Sequence, residues 1–425
     1  MSSATDSEPI PLDRPWYRQL LVVAVLMGLV IGLLGLAYLA VTGKLTDLVF
    51  GDPRVDAWSG AWWWIPFTAA GGLLATALRD WWTIPEHVPG GVAIVESGKV
   101  NHRVAASWVG LAAVSAIAGA SLGPSFALIM IGGALGSWIA SRRWPGNDNA
   151  RLDATVAGFS GGVGGAFTSA GLGTLLVTEL APIRRDRYIE GILPQLIAAT
   201  AAFAVFFGVA GTTLLNSFAV PVEDFSSWQI LVGVGLGIVA SALMILFVII
   251  VKVVDLVASK VPNRYLRGGA GGAIVGFIAV ALPLTVGSGN DQLKTVIDES
   301  ASIGIWLLLA VLLGKMVAMA VSLAAGFIGG NVLPMVFVGG SAGVAIHIMI
   351  PDIPYAVAVG SMLAAVPGAT IKAPIGLTFI AVLAVGLGPL TAAPVFIAVA
   401  TAYLTTAAVI TLLRSRRMDV PDPHA

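Results

Sequence analysis

Three ionisable side chains, Glu179, Lys315 and Lys372, interrupt apolar stretches of the 425-residue sequence. A charge inside a low-dielectric layer is costly unless it faces protein or water, so such residues are first candidates for an ion pathway. Glu179 also has a structural reading, since its carboxylate can cap a nearby helix or pair with Arg184, Arg185 or Arg187 just downstream. Lys315 reads in two ways as well, as a pore-lining cation or as a side chain that snorkels or meets a carboxylate. A second chemistry needs no side chain. Gly119-Ala120-Ser121-Leu122-Gly123-Pro124 leads into an apolar run containing Gly132-Gly133-Ala134-Leu135-Gly136. In the other half, Gly326-Phe327-Ile328-Gly329-Gly330-Asn331-Val332-Leu333-Pro334 leads into Gly339-Gly340-Ser341-Ala342-Gly343. A helix that begins at depth presents unpaired N–H groups and a partial positive charge, which suits an anion. Gly-interrupted apolar segments at corresponding places in two halves point to a midplane ion site between inverted repeats; Gly-rich stretches are also ordinary packing faces.

Other chemistries find little support. Gly158-Phe159-Ser160-Gly161 has the Gly-x-Ser-Gly form of intramembrane serine proteases, but a nucleophile needs a base within hydrogen-bond reach, and His347 is the one histidine in a long apolar region. The Gly161-Gly162-Val163-Gly164-Gly165 run lacks the Lys-Ser/Thr of a phosphate loop. His87, His102, His347 and His424 show no metal-ligand spacing, and the absence of cysteine removes disulfides and thiolate sites, so no metal or cofactor is expected. With 23 basic and 23 acidic residues the net charge is zero, which leaves no footprint for nucleic acid.

The elements that position these residues are membrane helices. Hydrophobic residues make up 57% of the chain, charged residues 11%, and the mean hydropathy is +0.92, against about 25% charged residues in soluble domains. Runs near the length of about twenty residues that crosses a bilayer recur at 20–41, 105–140, 193–215, 230–251, 272–286, 303–325, 332–350 and 394–413. The first, preceded by Asp13, Arg14 and Arg18, is too long for a secretory signal and lacks a small-residue cleavage site, so it is expected to be retained. The 51 glycines lie largely within apolar stretches, which allows close helix packing and breaks at depth. Basic clusters at Arg14/Arg18, Arg142/Arg143/Arg151, Arg184/Arg185/Arg187, Lys252/Lys260/Arg264/Arg267 and Arg414/Arg416/Arg417 are topology signals or an anion-collecting vestibule. They place both termini in the cytoplasm with an even number of crossings. The expected organisation is a short N-terminal segment (1–15), a transmembrane domain (16–413) with repeats at about 16–220 and 225–413, and a short tail (414–425), with no soluble regulatory domain.

At these residues the chain resembles the chloride channel and chloride–proton antiporter (CLC) family. Gly287-Ser288-Gly289, the apolar stretch 307–321 and Gly329-Gly330-Asn331-Val332-Leu333-Pro334-Met335 resemble that family's Gly-Ser-Gly loop and Gly-Gly-Ile-Phe-Ala-Pro segment. Asn331 and Val332 fall where the family's backbone N–H groups hold the central anion. Counted back from Gly132-Gly133, the segment Gly123-Pro124-Ser125-Phe126-Ala127 falls on Gly-Arg-Glu-Gly-Pro, with Ser125 in place of the gating glutamate. A rival register puts Leu122 there. Residues 164–173 are similar to the Gly/Ala-rich segment before the family's Glu-Glu pair, so Glu179 takes the first position and Leu180 the second. Thr83-Ile84-Pro85-Glu86 is what remains of the Gly-Ser-Gly-Ile-Pro-Glu loop, Trp82 replaces its serine, and the pore tyrosine falls near Gly388 or Pro389. The resemblance covers about residues 71–405.

It implies an all-α polytopic membrane fold of two inverted repeats with short, broken helices, and a homodimer with one pore in each subunit. The anion site would lie at Ser125, Phe126, Ala127, Asn331 and Val332, with Glu179 and Lys315 as pore or structural charges and lipid and a small anion as the partners. The implied substrate is a small monovalent anion, chloride by default, with no enzyme activity; because Ser125 or Leu122 stands at the outer glutamate position and Leu180 at the inner one, the movement is expected to be passive, channel-like and not proton-coupled. A secondary transporter for another anion or solute is the alternative. A prokaryotic cell membrane is the expected location.

Overall fold

The computed structural model describes residues 12–51, 60–166, 169–183, 185–211, 218 and 220–418. The fold is all-α. The first helices are α1 (Pro15–Phe50), α2 (Trp64–Trp81), α3 (Gly91–Ser97), α4 (Ala105–Ile117), α5 (Ser125–Arg143), α6 (Asp148–Ala166), α7 (Ala170–Leu180) and α8 (Tyr188–Ala210). They are followed by α9 (Gln229–Ala258), α10 (Arg264–Ala281), α11 (Asn290–Asp298), α12 (Ser300–Ile303), α13 (Ile305–Ala324), α14 (Val332–Met349), α15 (Tyr355–Gly368), α16 (Pro374–Val385) and α17 (Ala392–Met418). Seven of these among the described residues, α1, α5, α8, α9, α13, α14 and α17, are long and apolar enough to cross a membrane. Helix α1, at about 54 Å for 36 residues, exceeds the ~30 Å hydrocarbon layer.

The expected run 105–140 is two helices. The chain turns at Gly119 (φ +77°) and Pro124 precedes α5, so α4 and α5 are separated by a loop that carries no charged residue to mark it in an apolar run. Helices α15 and α16 were not among the expected runs because, at 14 and 12 residues, they fall short of a span. Thirteen of the residues of α15 are buried, so it is apolar all round. Local signals set other ends. Ser169 caps α7 by accepting from the Leu172 N–H at 3.1 Å, Asn263 caps α10, and left-handed Gly211 and Gly386 end α8 and α16.

The chain forms two compact units that do not coincide with consecutive halves. The first comprises Met1–Leu39, Gly91–Val109 and Ala127–Leu214. There α6 packs on α7 and α8, and a core gathers Tyr17, Leu20, Ala140, Trp144, Ala150 and Ala154. A Cβ on Gly132 would lie 2.0 Å from the Gly158 carbonyl oxygen, and one on Gly158 would lie 2.1 Å from that of Gly132, so α5 and α6 meet backbone to backbone. The second unit comprises Ala40–Gly90, Gly110–Phe126 and Leu215–Ala425. In it α2 packs on α10, α9 on α17 and α14 on α15, with Phe50, Trp64, Ala279 and Val286 clustered in the core. The expected end segments fall partly outside the described residues, at 1–11 and 419–425.

Candidate functional site

Within the second unit two loops lead to the starts of α5 and α14, and the main chain ties them together. The Gly123 N–H donates to the Gly330 carbonyl at 2.7 Å and the Gly330 N–H donates to the Gly123 carbonyl at 2.7 Å, an antiparallel pair. Glycine at 330 allows the close approach, because a Cβ there would lie 1.8 Å from Ser125 Oγ, which would have to turn away, and 3.0 Å from the Phe126 nitrogen. The same numbers show that the first residues of α5 sit against the segment that opens α14. Ser125 and Phe126 are both buried, and Ala127, which follows in α5 and belongs to the first unit, is fully buried. Buried hydroxyls hold the loops. Ile328 N–H donates to Ser115 Oγ at 3.0 Å, Ser121 N–H to Ser322 Oγ at 3.1 Å, and Ser121 Oγ to the Thr285 carbonyl at 3.2 Å.

Asn331 stands at the N-cap of α14 in an αR conformation and its side chain does not cap. Its Oδ1 is buried without a hydrogen-bond partner among the described residues. Val332 and Leu333 follow as the first two helical positions, whose N–H groups have no acceptor within the helix, while Pro334 has no N–H. Helix geometry therefore leaves donors and a partial positive charge at this start.

Lys315 lies behind the same loops. It is fully buried on α13, and its Nζ donates to the carbonyls of Gly287 at 2.7 Å, Thr285 at 3.0 Å and Val286 at 3.4 Å. The ammonium also stands 5.2 Å from the centre of the Phe337 ring on α14. Because the Thr285 carbonyl accepts from Ser121 as well, one oxygen links Lys315 to the loop before α5. The ammonium is thus held by carbonyls; it neither snorkels nor pairs with a carboxylate among the described residues.

A cavity of about 810 Å³ adjoins the helix starts, bounded on that side by Phe126, Gly329 and Asn331 and elsewhere by Arg79, Arg264 and Arg267. Arg264 pairs with Asp80 at 2.7 Å, and Arg267 pairs with Glu86. The hydrogen bond from Arg267, together with its charge, holds the Glu86 carboxyl below the usual carboxylate range. Arg79 meets main-chain carbonyls instead, those of Gly326 and Pro85 at 2.7 Å each.

A family model described as voltage gated chloride channel matches residues 87–407. The chain belongs to this family. YfeO proteins of Escherichia coli (strain IAI39) and Escherichia fergusonii, whose name assigns them provisionally to ion transport, are each 27% identical over 246 residues, 57% of this chain and 57% of theirs. The match thus spans little more than half the length of these curated relatives. A slow cyanobacterial Cl⁻/H⁺ antiporter has the same fold at TM-score 0.79 and 18% identity, covering 96% of this chain and 99% of that one. A CLC-type fluoride/proton antiporter matches at TM-score 0.72 and 18% identity, covering 91% and 96%. These two likenesses bear on the fold.

The remaining candidates of this family member lie as follows. Glu179 is half-buried at the end of α7 and is engaged in an interaction. Of the arginines offered to it by sequence, Arg184 lies outside the described residues, and Arg187 pairs instead with Glu190 at 2.6 Å and Asp153 at 2.7 Å. Leu180 closes α7 as a buried residue. Ser160 donates to the Gln195 amide oxygen at 2.8 Å, a partner that is no general base, and His347 Nδ1 bonds the Ile353 carbonyl at 2.8 Å. Lys372 is exposed between α15 and α16, and Gly388 and Pro389 lie between α16 and α17. Sequence reasoning passed over Arg79, Ser115, Ser121 and Ser322. Arg264 and Arg267 of the basic cluster are on the cavity wall.

Proposed function

We propose that the chain moves small monovalent anions, chloride by default, passively across a membrane, with backbone donors at Ser125–Phe126 and Asn331–Val332 as the central site. The observation that carries this reading is the reciprocal Gly123–Gly330 pair, which sets one helix start against the segment opening another, beside a cavity that reaches Asn331. Two such starts add their partial positive charges at one place. The buried Lys315 ammonium, joined to the loop before α5 through the Thr285 carbonyl, adds positive potential without the geometry of a direct ligand.

The pair also supports the register. In a reciprocal antiparallel pair the two residues are equivalents about a local two-fold, so Gly123 answers to Gly330 and Ser125, two residues on, answers to Val332. On this reading Ser125 is taken, in preference to Leu122, as the residue at the family's gating-glutamate position. Since neither Ser125 nor Leu122 is titratable as a carboxylate is, and Leu180 occupies the inner position, movement is uncoupled from protons. Two chains, each with its own route and with both termini in the cytoplasm of a prokaryote, form the working assembly.

A proton-coupled reading has Glu179 in its favour, a half-buried carboxylate one position before Leu180; two similar folds are antiporters by name. Purified protein in liposomes, given a chloride gradient and a panel of anions, separates the two. Uncoupled movement predicts anion flux with no proton uptake against its gradient; proton uptake driven uphill by chloride would overturn it.

A further inference from the structure

Arg79 occupies an unusual place among the cavity's cations. Arg264 and Arg267 face carboxylates, Asp80 and Glu86. Arg79, half-buried in the last turn of α2, donates to main-chain oxygens of two segments, one just downstream and one 247 residues away. Nε donates to Gly326 at 2.7 Å, and Nη1 donates to Pro85 at 2.7 Å and to Glu86 at 3.3 Å. Gly326 has φ +89° and begins the loop that runs through Gly329 and Gly330 to Asn331, while Thr83, with φ +51°, begins the turn that carries Pro85 and Glu86. Both segments line the cavity. Thr83 is a non-glycine residue in the left-handed region, Gly326 turns its segment there as glycine does freely, and the planar guanidinium fork bonds to both segments.

We propose that Arg79 is a positioning residue for anion passage, fastening the 83–86 turn to the 326–330 loop so that the width of the cavity before Asn331 is fixed, and with it the preference between anions of different size. The inference rests on the transport reading above. It assigns Arg79 no contact with the anion; its action runs through the carbonyls it holds. A lysine's donors radiate from a single nitrogen, whereas Arg79 reaches the two segments from separate nitrogens, Nε and Nη1, of one rigid plane, so Arg79→Lys retains the charge and loosens the bridge.

The sequence contains no cysteine, so spin labels on His87→Cys and Ala324→Cys, one on each cavity wall, report the wall spacing without background. In liposomes, Arg79→Met is expected to lengthen and broaden the label distance and to change the nitrate-to-chloride flux ratio about threefold or more, with Arg79→Lys between it and the unaltered protein. Unchanged label distances in Arg79→Met would overturn the proposal, and so would a widened cavity with an unaltered flux ratio. If Arg79→Met does not fold, Arg79→Lys carries both readings with smaller expected shifts. Absence of flux for every anion in the unaltered protein would instead sink the transport reading, and the label distances then decide alone whether Arg79 holds the walls.

Discussion

The paired starts of α5 and α14 are held by main-chain atoms, whereas the rim of the adjoining cavity is held by side-chain charges. At the helix starts, Gly123 and Gly330 exchange two hydrogen bonds and every donor proposed for the anion belongs to the backbone. At the rim, Arg264 with Asp80 and Arg267 with Glu86 do the joining, and Arg264 and Glu86 are largely exposed. Backbone donors survive changes of side chain, which is why Asn331 and Val332 can stand in a framework whose family residues differ. Exposed ion pairs are screened by salt and contribute little to stability. The first region is therefore sensitive to any change in main-chain geometry, and the second to ionic conditions.

The sharpest break in that contrast comes from Gly330→Ala. Its Cβ would collide with Ser125 Oγ and crowd the Phe126 nitrogen, so a loss of about 1–3 kcal/mol is expected from overpacking, together with loss of flux. A thermal melt of the detergent-purified protein and a liposome flux assay check both; an unchanged melt would mean that the two loops are not pressed together.

Val332→Pro is the next largest. Val332 is the first helical residue of α14, so proline there removes an N–H that has no acceptor within the helix; the αR conformation of Asn331 is disfavoured before proline, so a melt first establishes that the variant is folded. It should weaken anion binding by about 1–3 kcal/mol, while Asn331→Ala, which keeps every backbone donor, should change it by less than about 1 kcal/mol. Chloride titration by calorimetry gives the comparison, and equal effects in two folded proteins would argue against backbone coordination.

How far these regions are legible in sequence follows the same division. Gly123, Gly329, Gly330 and the apolar runs behind them can be read directly, because a helix that starts at depth after a glycine-rich break leaves a composition signal. The partners of Lys315 and Arg79 cannot be read. Their acceptors are carbonyls, which every residue has, contributed from 28 to 30 positions away for Lys315 and 247 for Arg79's bond to Gly326. Lys315 therefore offered only the readings open to a lone charge in an apolar run. The break at 118–124 is marked by Gly119, Gly123 and Pro124, but it carries no charge, so a reading by apolar length alone runs 105–140 together.

The smallest effect is expected at the rim. Glu86→Gln releases Arg267 from its counter-charge, so flux at low salt should rise by about twofold or less and the difference should vanish at high ionic strength. Because the folded-state pKa of Glu86 is depressed, the pair's small stabilisation is present above the ordinary glutamate range. It fades as pH falls through the lower folded value. A melt of Glu86→Gln that tracks the parent at every pH would remove even that contribution, and a salt-independent rise in flux would point to a steric cause.

Placing a carboxylate at the central site tests the account most directly. A glutamate at position 125 is itself an anion suited to the same helix starts, competing with the permeant ion when ionised and withdrawing when protonated. The unaltered protein should show flux that varies little between about pH 4.5 and 7.5, a window spanning the reference glutamate value and upward shifts from burial. Ser125→Glu, reconstituted and measured across the same range, is predicted to be blocked at neutral pH and opened by acid; flux from the folded variant that does not depend on pH would contradict the assignment of Ser125 to the anion route.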